Sequence, residues 1–361
     1  MIDSPLSHNT FFKDLLVIEL ASVLAGPSAG LFFVECGARV IKIENGQSNG
    51  DVTRSWLNSK ETGEQISAYY ASVNQGKELK MFDLNSAADL IELEELLQQA
   101  DIVISNFKTS SAKRWNIEAG QLHDRFPFLI IGQLDAFAEG DSRVAYDIVL
   151  QAETGYLSMT GFTDNPARLP VPMIDLLAGH QLKEGLLMAL MHRYKTGNGS
   201  IVRVNLFETA IGALANQASN YLMSDLIPKA QGTLHPNIAP YGDWFLCADN
   251  KPLVLAIGSD VQFNNLLVCL NLSELIDDER FCTNQNRLKN RTELASILNA
   301  AFKKQERAVW LKHFEQKQIP CGALLNLEEV FQGKASQFIQ ESIIENTPTR
   351  AVKTVNFRIE Q

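Results

Sequence analysis

Between residues 15 and 207, short apolar runs alternate with segments whose apolar residues recur every three or four positions. The short runs predict parallel strands and the longer periodic segments predict helices, as in repeated βαβ units. The predicted strands are residues 15–20, 39–43, 101–105, 128–133 and 201–205, and the predicted helices are residues 27–36, 86–99 and 176–194. This part of the chain is therefore expected to form a Rossmann-like, doubly wound α/β domain.

The pattern changes in the second half of the chain, where a polar loop at residues 228–236 is expected to link two domains. Two alternating runs, 243–248 and 252–257, predict a β-hairpin, and helices are expected at 261–270 and 292–304. The expected domains are a large α/β domain (1–225), a small α+β domain (226–330) and a segment that returns to the large domain (331–361).

Composition and charge indicate which kinds of binding partner the protein is not expected to have. The 361 residues are 45% hydrophobic, and 32 basic against 42 acidic residues give a net charge of −10 without a basic run, so nucleic acid is not expected. The first ten residues lack a secretory pattern and no apolar run is long enough to span a membrane, so a cytoplasmic protein without membrane contact is expected. Six histidines without ligand spacing predict no metal site.

The loop after the first strand was compared with the dinucleotide fingerprint. Gly26-Pro27-Ser28-Ala29-Gly30 follows a strand and opens a helix, but its glycine spacing differs from Gly-x-Gly-x-x-Gly. Neither a nicotinamide nor a flavin cofactor is therefore expected. A tight turn with proline at the first helical position is the favoured explanation of Gly26 and Pro27.

A single acid, Asp175, lies between a proline-rich turn and a long apolar helix. It could cap that helix by accepting hydrogen bonds from first-turn amides. It could also act as a nucleophile, because an aspartate with an ordinary pKa is ionised at neutral pH and needs no base to activate it. The helix start would favour the anion and lend amides to an oxyanion.

Six separated blocks occur in a family-like order: Val23-Leu24-Ala25-Gly26-Pro27, Gly37 to Glu44, Gly50 to Arg54, Ala100 to Phe107, Pro170 to Gly179 and His192 to Gly199, with Ile319-Pro320-Cys321-Gly322 further on. The chain thereby resembles the class III CoA-transferases, the formyl-CoA and carnitine CoA-transferase family. The resemblance implies that Asp175 takes up the acyl group, that coenzyme A is a substrate and product, and that two chains interlock as a homodimer.

The resemblance also implies residues that contact CoA: Val23, Ala25, Phe82, Asn106, Phe107, Lys113, Arg114 and Arg143. Asn106 and Phe107 follow a predicted strand, at the sheet edge where open parallel sheets bind ligands. The cluster of Lys108, Lys113 and Arg114 could supply positive charge for a polyanionic ligand. From the residues alone, a solvated helix face for the three cations, a turn for Asn106 and a core position for Phe107 are favoured over a ligand contact.

Three positions depart from the formyl-CoA transferases that the chain resembles. Leu24 replaces a glutamine, Gly258-Ser259-Asp260 stands where those enzymes have a four-glycine loop, and Asn45 replaces a cofactor-contacting arginine. An apolar Leu24 facing the acyl group favours medium or branched acyl groups over formyl or oxalyl.

Two alternatives were considered. The family also contains 2-methylacyl-CoA racemases, whose histidine belongs in a Gly-His-Asp segment, but here Tyr146 precedes Asp147 and tyrosine is a poor base at neutral pH. His123 and His180 are the other candidates for a base. The second alternative, a non-catalytic CoA-binding protein, is disfavoured by the presence of Asp175.

Overall fold

The computed structural model describes residues 11–63, 66–141 and 143–359 and separates into two compact units. The first unit comprises Met1–Leu157, Arg168–Ser224 and Gln337–Gln361, and the second comprises Ser158–Ala167 and Asp225–Ser336. Residues 158–167, which the sequence analysis assigns to the large domain, group with the second unit. The returning segment begins at Gln337.

The strands are β1 (Leu16–Leu20), β2 (Arg39–Asn45), β3 (Glu78–Phe82), β4 (Ile102–Ser105), β5 (Ile130–Asp135), β6 (Gly161–Phe162), β7 (Asn165–Pro166), β8 (Ile201–Asn205), β9 (Tyr241–Leu246), β10 (Pro252–Ala256), β11 (Cys321–Ala323), β12 (Ile339–Ile344) and β13 (Thr347–Val352). The helices are α1 (Ala25–Glu35), α2 (Ala68–Asn74), α3 (Ala87–Gln99), α4 (Thr109–Arg114), α5 (Ala119–Arg125), α6 (Asp147–Glu153), α7 (Tyr156–Met159), α8 (Met173–Thr196), α9 (Leu206–Gly212), α10 (Ala215–Ser224), α11 (Asp260–Cys269), α12 (Asn284–Lys289), α13 (Arg291–Phe302), α14 (Arg307–Gln316) and α15 (Leu327–Gln332).

A six-stranded parallel sheet forms the centre of the first unit, in the order β3-β2-β1-β4-β5-β8. The predicted α/β class with a parallel sheet is confirmed. The apolar runs of β1 and β4 are buried because helices cover both faces of such a sheet. The sequence analysis missed β3, an edge strand in which polar and exposed residues replace the apolar run. Strand order reverses between β1 and β4, which creates a ligand-binding crevice in open α/β sheets.

Helix α8 packs against α1 on one side of the sheet. Its buried face carries Ile174, Ala178, Leu182 and Leu186, at spacings of three or four residues. Gly179 permits the close approach, because a Cβ there would collide with the Ser28 hydroxyl and the Ala25 carbonyl of α1. The helix ends as predicted, with Gly197 in the left-handed conformation at φ 79°.

The second unit contains the antiparallel sheet β11-β10-β9. The predicted hairpin corresponds to β9 and β10, and the predicted helices at 261–270 and 292–304 correspond to α11 and α13. Helices α11, α13 and α14 contribute to an aromatic core that includes Phe245, Phe263, Phe302, Trp310 and Phe314. Phe245 and Phe302 stack at a centroid distance of 4.8 Å.

The returning segment differs from the expected strand at 355–357. These residues lie outside any strand, and the strand pair of this segment is the hairpin β12–β13. Val355 is instead buried in a core cluster with Val17 and Phe33. The amides of Thr354 and Val355 donate to the Glu35 carboxylate at 2.9 and 2.6 Å, so a buried side chain takes the place of a strand partner.

Candidate active site

Asn106 joins the two loops at the point where strand order reverses. Its side-chain oxygen accepts the Ser22 amide at 3.2 Å, and its side-chain nitrogen donates to the Ser22 carbonyl at 3.0 Å. The next residue, Val23, adopts a positive φ of 72° and donates its amide to Asp51 at 3.1 Å. A β-branched residue rarely adopts this conformation, so the contacts around it must hold it there.

A pocket of about 260 Å³ opens beside these loops. Phe82 and Phe107, two of the residues expected to contact CoA, line it together with Ser22, Asp51 and Trp115. Phe107 packs edge-to-face on Trp115 at a centroid distance of 5.4 Å. Asn45, which replaces an expected arginine, also lines the pocket. The pocket therefore combines aromatic surface with polar loop atoms at the carboxyl edge of the sheet.

A buried cation, Lys42, contributes to the wall of this pocket. Its Nζ lies 3.1 Å from Glu19 and 3.2 Å from Asp51 and donates to the Ala21 carbonyl at 2.6 Å. Burial opposes its charge, but the carboxylates of Glu19 and Asp51 outweigh burial and hold the pKa of Lys42 above its usual value. The sequence analysis assigned Lys42 no role, although a lysine within the apolar run of β2 was a visible signal.

Asp175 is the third residue of α8 and is 7% exposed. It does not cap its helix: α8 begins at Met173, and the capping carboxylate belongs to Asp147 of α6. Asp147 Oδ1 accepts the amides of Ile174 at 2.8 Å and Asp175 at 3.2 Å. These two amides are therefore occupied and cannot serve the oxyanion as the sequence analysis expects.

Asp175 also differs from the expected ordinary carboxylate in its acidity. Burial and the nearby negative charge of Asp147 raise the pKa of Asp175 to about 7. Its neighbour Ile174 belongs to an apolar cluster with Ala25, Leu134 and Leu150, which explains the lack of solvation. At neutral pH this carboxyl is therefore part protonated and part ionised, whereas the sequence analysis assumes full ionisation.

Trp56, Tyr69 and Tyr146 form an aromatic cluster, and the charge of Asp175 reaches the Tyr69 hydroxyl of this cluster. Trp56 contacts Tyr69 edge-to-face at a centroid distance of 4.9 Å and Tyr146 at 5.9 Å. Burial and the charges of Asp175, Asp147 and Asp51 raise the pKa of Tyr69 to about 12. Trp56 and Tyr69 were not assigned to the site from the sequence. Tyr146 was named there only as a poor base.

The other residues that are expected to contact CoA differ from one another in burial and in ion pairing. Ala25 is buried at the start of α1, while Lys113 and Arg114 are exposed in the last turn of α4, with Arg114 over the Trp115 ring at 5.0 Å. Arg143 pairs with Asp141 and Glu153, at 2.9 and 2.7 Å. A CoA contact by Arg143 would therefore require exchange of these partners.

The candidate bases His123 and His180 differ from Asp175 in their helix or in their exposure. His123 belongs to α5, and His180 is exposed on α8 although Asp175 is buried. Among the described residues, no group of three His, Cys, Asp or Glu side chains could hold a metal ion. Within the same ranges, no helix combines the length and the hydropathy needed to cross a membrane.

Comparison with known proteins identifies the family. The sequence model of "CoA-transferase family III" matches residues 12–360. A succinate–glutarate CoA-transferase of Agrobacterium fabrum is 34% identical over 339 residues, which cover 92% of this chain and 84% of that protein. An acetyl-CoA:oxalate CoA-transferase of Acetobacter aceti is 32% identical over 323 residues, with coverage of 88% and 82%.

The fold leads to the same family. The crystal structure of a CAIB/BAIF family protein from Brucella suis matches with a TM-score of 0.82 and 32% identity, over 97% of this chain and 93% of that one. Its match extends over both units of the chain. The parallel sheet, the ordered blocks and these relatives agree, and the chain belongs to CoA-transferase family III and is a CoA-transferase.

Proposed function

We propose that this protein transfers CoA from an acyl-CoA to a carboxylic acid through covalent intermediates on Asp175. The observation that carries the proposal is the position of this carboxyl, buried at the start of α8, where the neighbouring Ile174 and Ala178 pack with Ala25 at the start of α1. No hydrogen bond or ion pair to its side chain is present among the described residues, so its oxygens are available to a substrate.

The proposed reaction has two symmetrical halves. The Asp175 carboxylate attacks the thioester carbonyl, the carbon–sulfur bond breaks, and CoA leaves as a thiolate from a mixed anhydride. The thiolate then attacks the Asp175 carbonyl of this anhydride and releases the first acid, leaving an aspartyl-CoA thioester. The carboxylate of the second acid attacks this thioester and expels CoA thiolate, which leaves a second mixed anhydride on Asp175. The thiolate then attacks the acyl carbonyl of that anhydride, which forms the new acyl-CoA and frees the Asp175 carboxylate.

The start of α1 is the best-placed element to stabilise the oxyanion. The Ile174 and Asp175 amides are held by Asp147, whereas no side chain caps α1 and no acid occupies its first turn. Ala25, the first residue of α1, shares an apolar cluster with Ile174 and Ala178 of α8. Amides at a helix start favour negative charge, so the Ala25 end of α1 suits this role.

The CoA itself is proposed to lie in the crevice between β1 and β4. Val23, Ala25, Asn106, Phe107 and Phe82 would contact it there. Lys113 and Arg114 would provide positive charge for its phosphates, and Arg143 would do so after exchanging its carboxylate partners. Since Asn106 already holds Ser22, its substitution should disturb the loop that carries Val23 and Ala25.

Relatives suggest the class of acid. The relatives are named for succinate, glutarate and oxalate, all of which carry two carboxylates. Leu24 is buried beside the start of α1, and we propose that its apolar side chain disfavours formyl and oxalyl groups relative to longer acids. A dicarboxylic acid longer than oxalate is therefore the proposed substrate class.

Two further features of the family are proposed for this chain. It is proposed to act as an interlocked homodimer and to function in the cytoplasm, where acyl-CoA substrates are made and used. Both proposals follow from the family resemblance. The exposed apolar side chains of α8 and α10 are consistent with a covered surface in a dimer.

The function is tested by trapping the intermediate. After incubation with succinyl-CoA and hydroxylamine, mass spectrometry of the digested protein should find a hydroxamate on Asp175. Asp124→Asn, at an exposed position on α5, serves as the matched control and should form the same adduct. Unchanged CoA transfer by Asp175→Asn, or the absence of any adduct on wild-type Asp175, would refute the proposal.

A further inference from the structure

Arg168 is an exposed cation without a protein partner near the site. No ion pair or hydrogen bond of its guanidinium is present among the described residues, although other arginines of the first unit pair with carboxylates, such as Arg54 with Glu44 and Arg193 with Asp101. A guanidinium that no protein acid neutralises can bind an anionic ligand without first breaking an ion pair.

The backbone beside Arg168 is held by a chain of buried side chains that begins at the nucleophile's own helix. Asp147 accepts the first amides of α8 and also accepts a hydrogen bond from the Gln151 side chain. The Gln151 side-chain oxygen in turn accepts the Leu169 amide at 2.9 Å. The segment that carries Arg168 is thereby connected to Asp175 through two side chains of α6.

The positive charge of Arg168 reaches the Tyr69 hydroxyl. It opposes the rise in the pKa of Tyr69, whereas burial and Asp147 account for the raised pKa of Asp175. This agrees with the hydrogen-bonded chain from the Leu169 amide through Gln151 and Asp147 to the Asp175 amide, which brings the segment of Arg168 close to the nucleophile. An exposed, unpaired cation near a reactive carboxyl suits a ligand with two carboxylates, of which one reacts and the other stays charged.

We propose that Arg168 binds the distal carboxylate of a dicarboxylic acid whose proximal carboxyl reacts at Asp175. This inference rests on the proposed function and adds the residue that selects the acid. The planar guanidinium can bind a carboxylate through two parallel hydrogen bonds. Oxalate, whose two carboxyl groups are directly bonded, is too short to occupy both positions.

The test compares two acceptor acids of equal length. Glutarate and valerate each have five carbons, and only glutarate has a second carboxylate; acetyl-CoA is the donor because its acyl group has no distal charge. In Arg168→Gln, the ratio of kcat/KM for glutarate to that for valerate should fall about 100-fold, the range for hydrogen bonds to charged groups. Arg168→Lys should retain part of the preference, because it keeps the charge without the planar fork.

The matched control is Arg350→Gln on β13, where an exposed arginine pairs with an exposed glutamate. This variant should leave the ratio at its wild-type value. A glutarate-to-valerate ratio in Arg168→Gln within threefold of wild type would overturn the inference. The same holds if wild-type protein shows no preference for glutarate.

A binding measurement separates this inference from the proposed function. Calorimetry with glutarate and with its monomethyl ester should show tighter binding of glutarate to wild type and no difference in Arg168→Gln. Equal binding of both ligands to wild type would refute the role of Arg168. If the Asp175 adduct forms but the preference is absent, only Arg168 is misassigned; if no adduct forms with any acyl-CoA, the proposed function fails as well.

Discussion

Two acids at one helix start have different tasks. Asp147 caps α8 from outside the helix, and Asp175 lies within the first turn with no protein partner of its own among the described residues. The cap both positions Asp175 and repels its charge. A nucleophile with a raised pKa is more basic than an ordinary aspartate, and only its ionised fraction can attack.

This acidity predicts the pH dependence of the reaction. The kcat/KM for acyl-CoA should rise through a midpoint near the raised pKa of about 7, because attack requires the ionised Asp175. In Asp147→Asn, the lost negative charge should move the midpoint to lower pH, while the remaining oxygen still accepts the Ile174 amide. The rate should be measured across the pH range for both proteins. A midpoint that stays in place in Asp147→Asn would contradict the charge argument.

The same pKa predicts an effect on stability. Folded Asp175 holds a proton up to about pH 7, whereas the unfolded chain releases it near 3.8, so the free energy of unfolding falls as pH rises through this window. At pH 8, Asp175→Asn should therefore unfold at a higher temperature than wild type. Its free energy of unfolding should be larger by at most on the order of 4 kcal/mol. The difference should disappear below pH 4.

Thermal unfolding at several pH values measures this effect. Asp124→Asn, which changes an exposed acid on α5, should show no comparable difference at pH 8. If Asp175→Asn were destabilised at pH 8 and neutral below pH 4, the assigned direction of the pKa shift would be wrong.

At the scale of elements, the segment after β13 is held by burial and not by strand pairing. Val355 is 4% exposed among Val17, Phe33 and their neighbours, and Glu35 holds the adjacent amides. Val355→Ala should lower the free energy of unfolding by about 2 kcal/mol through lost contacts and a cavity. Val352→Ala, at a position 47% exposed, should change it by less than about 0.5 kcal/mol.

Denaturant titration of both variants distinguishes these expectations. Equal and small effects would mean that the segment contributes little to the first unit's stability. The comparison is well matched because the two valines lie three residues apart and differ chiefly in burial.

At the scale of the molecule, apolar side chains remain exposed on two helices of the first unit. Tyr194 on α8 is 92% exposed, and Leu222 and Met223 on α10 are 78% and 86% exposed. Such residues are costly to leave in water when they are contiguous. Light scattering should therefore return twice the 40.1 kDa mass of one chain.

The double substitution of Leu222→Lys and Met223→Lys should lower the fraction of protein that is recovered as a dimer after unfolding and refolding. Val261→Lys, at a similarly exposed position in the second unit, is the control and should leave it unchanged. A mass of 40.1 kDa at every concentration would contradict the homodimer.

Apolar periodicity was sufficient to predict most of the parallel sheet, because a strand buried on both faces must be apolar along its length. The strands at 15–20, 101–105 and 201–205 and the stop of α8 at Gly197 all follow from local pattern. The edge strand β3 did not, since Glu78 and Lys80 interrupt its apolar run. The order of motifs was likewise enough to indicate the family and to single out Asp175.

Tertiary structure decided how Asp175 is surrounded. Asp147 is 28 residues away in the chain, and its capping of α8, the occupied amides and the raised pKa depend on a contact between two helices. The hydrogen bond between Leu169 and Gln151, and the burial of Lys42 between Glu19 and Asp51, are also contacts between distant segments. Sequence pattern reports which face of an element is buried, whereas the pKa of a side chain depends on the charges and solvent within a few ångströms of it, which only the folded chain brings together.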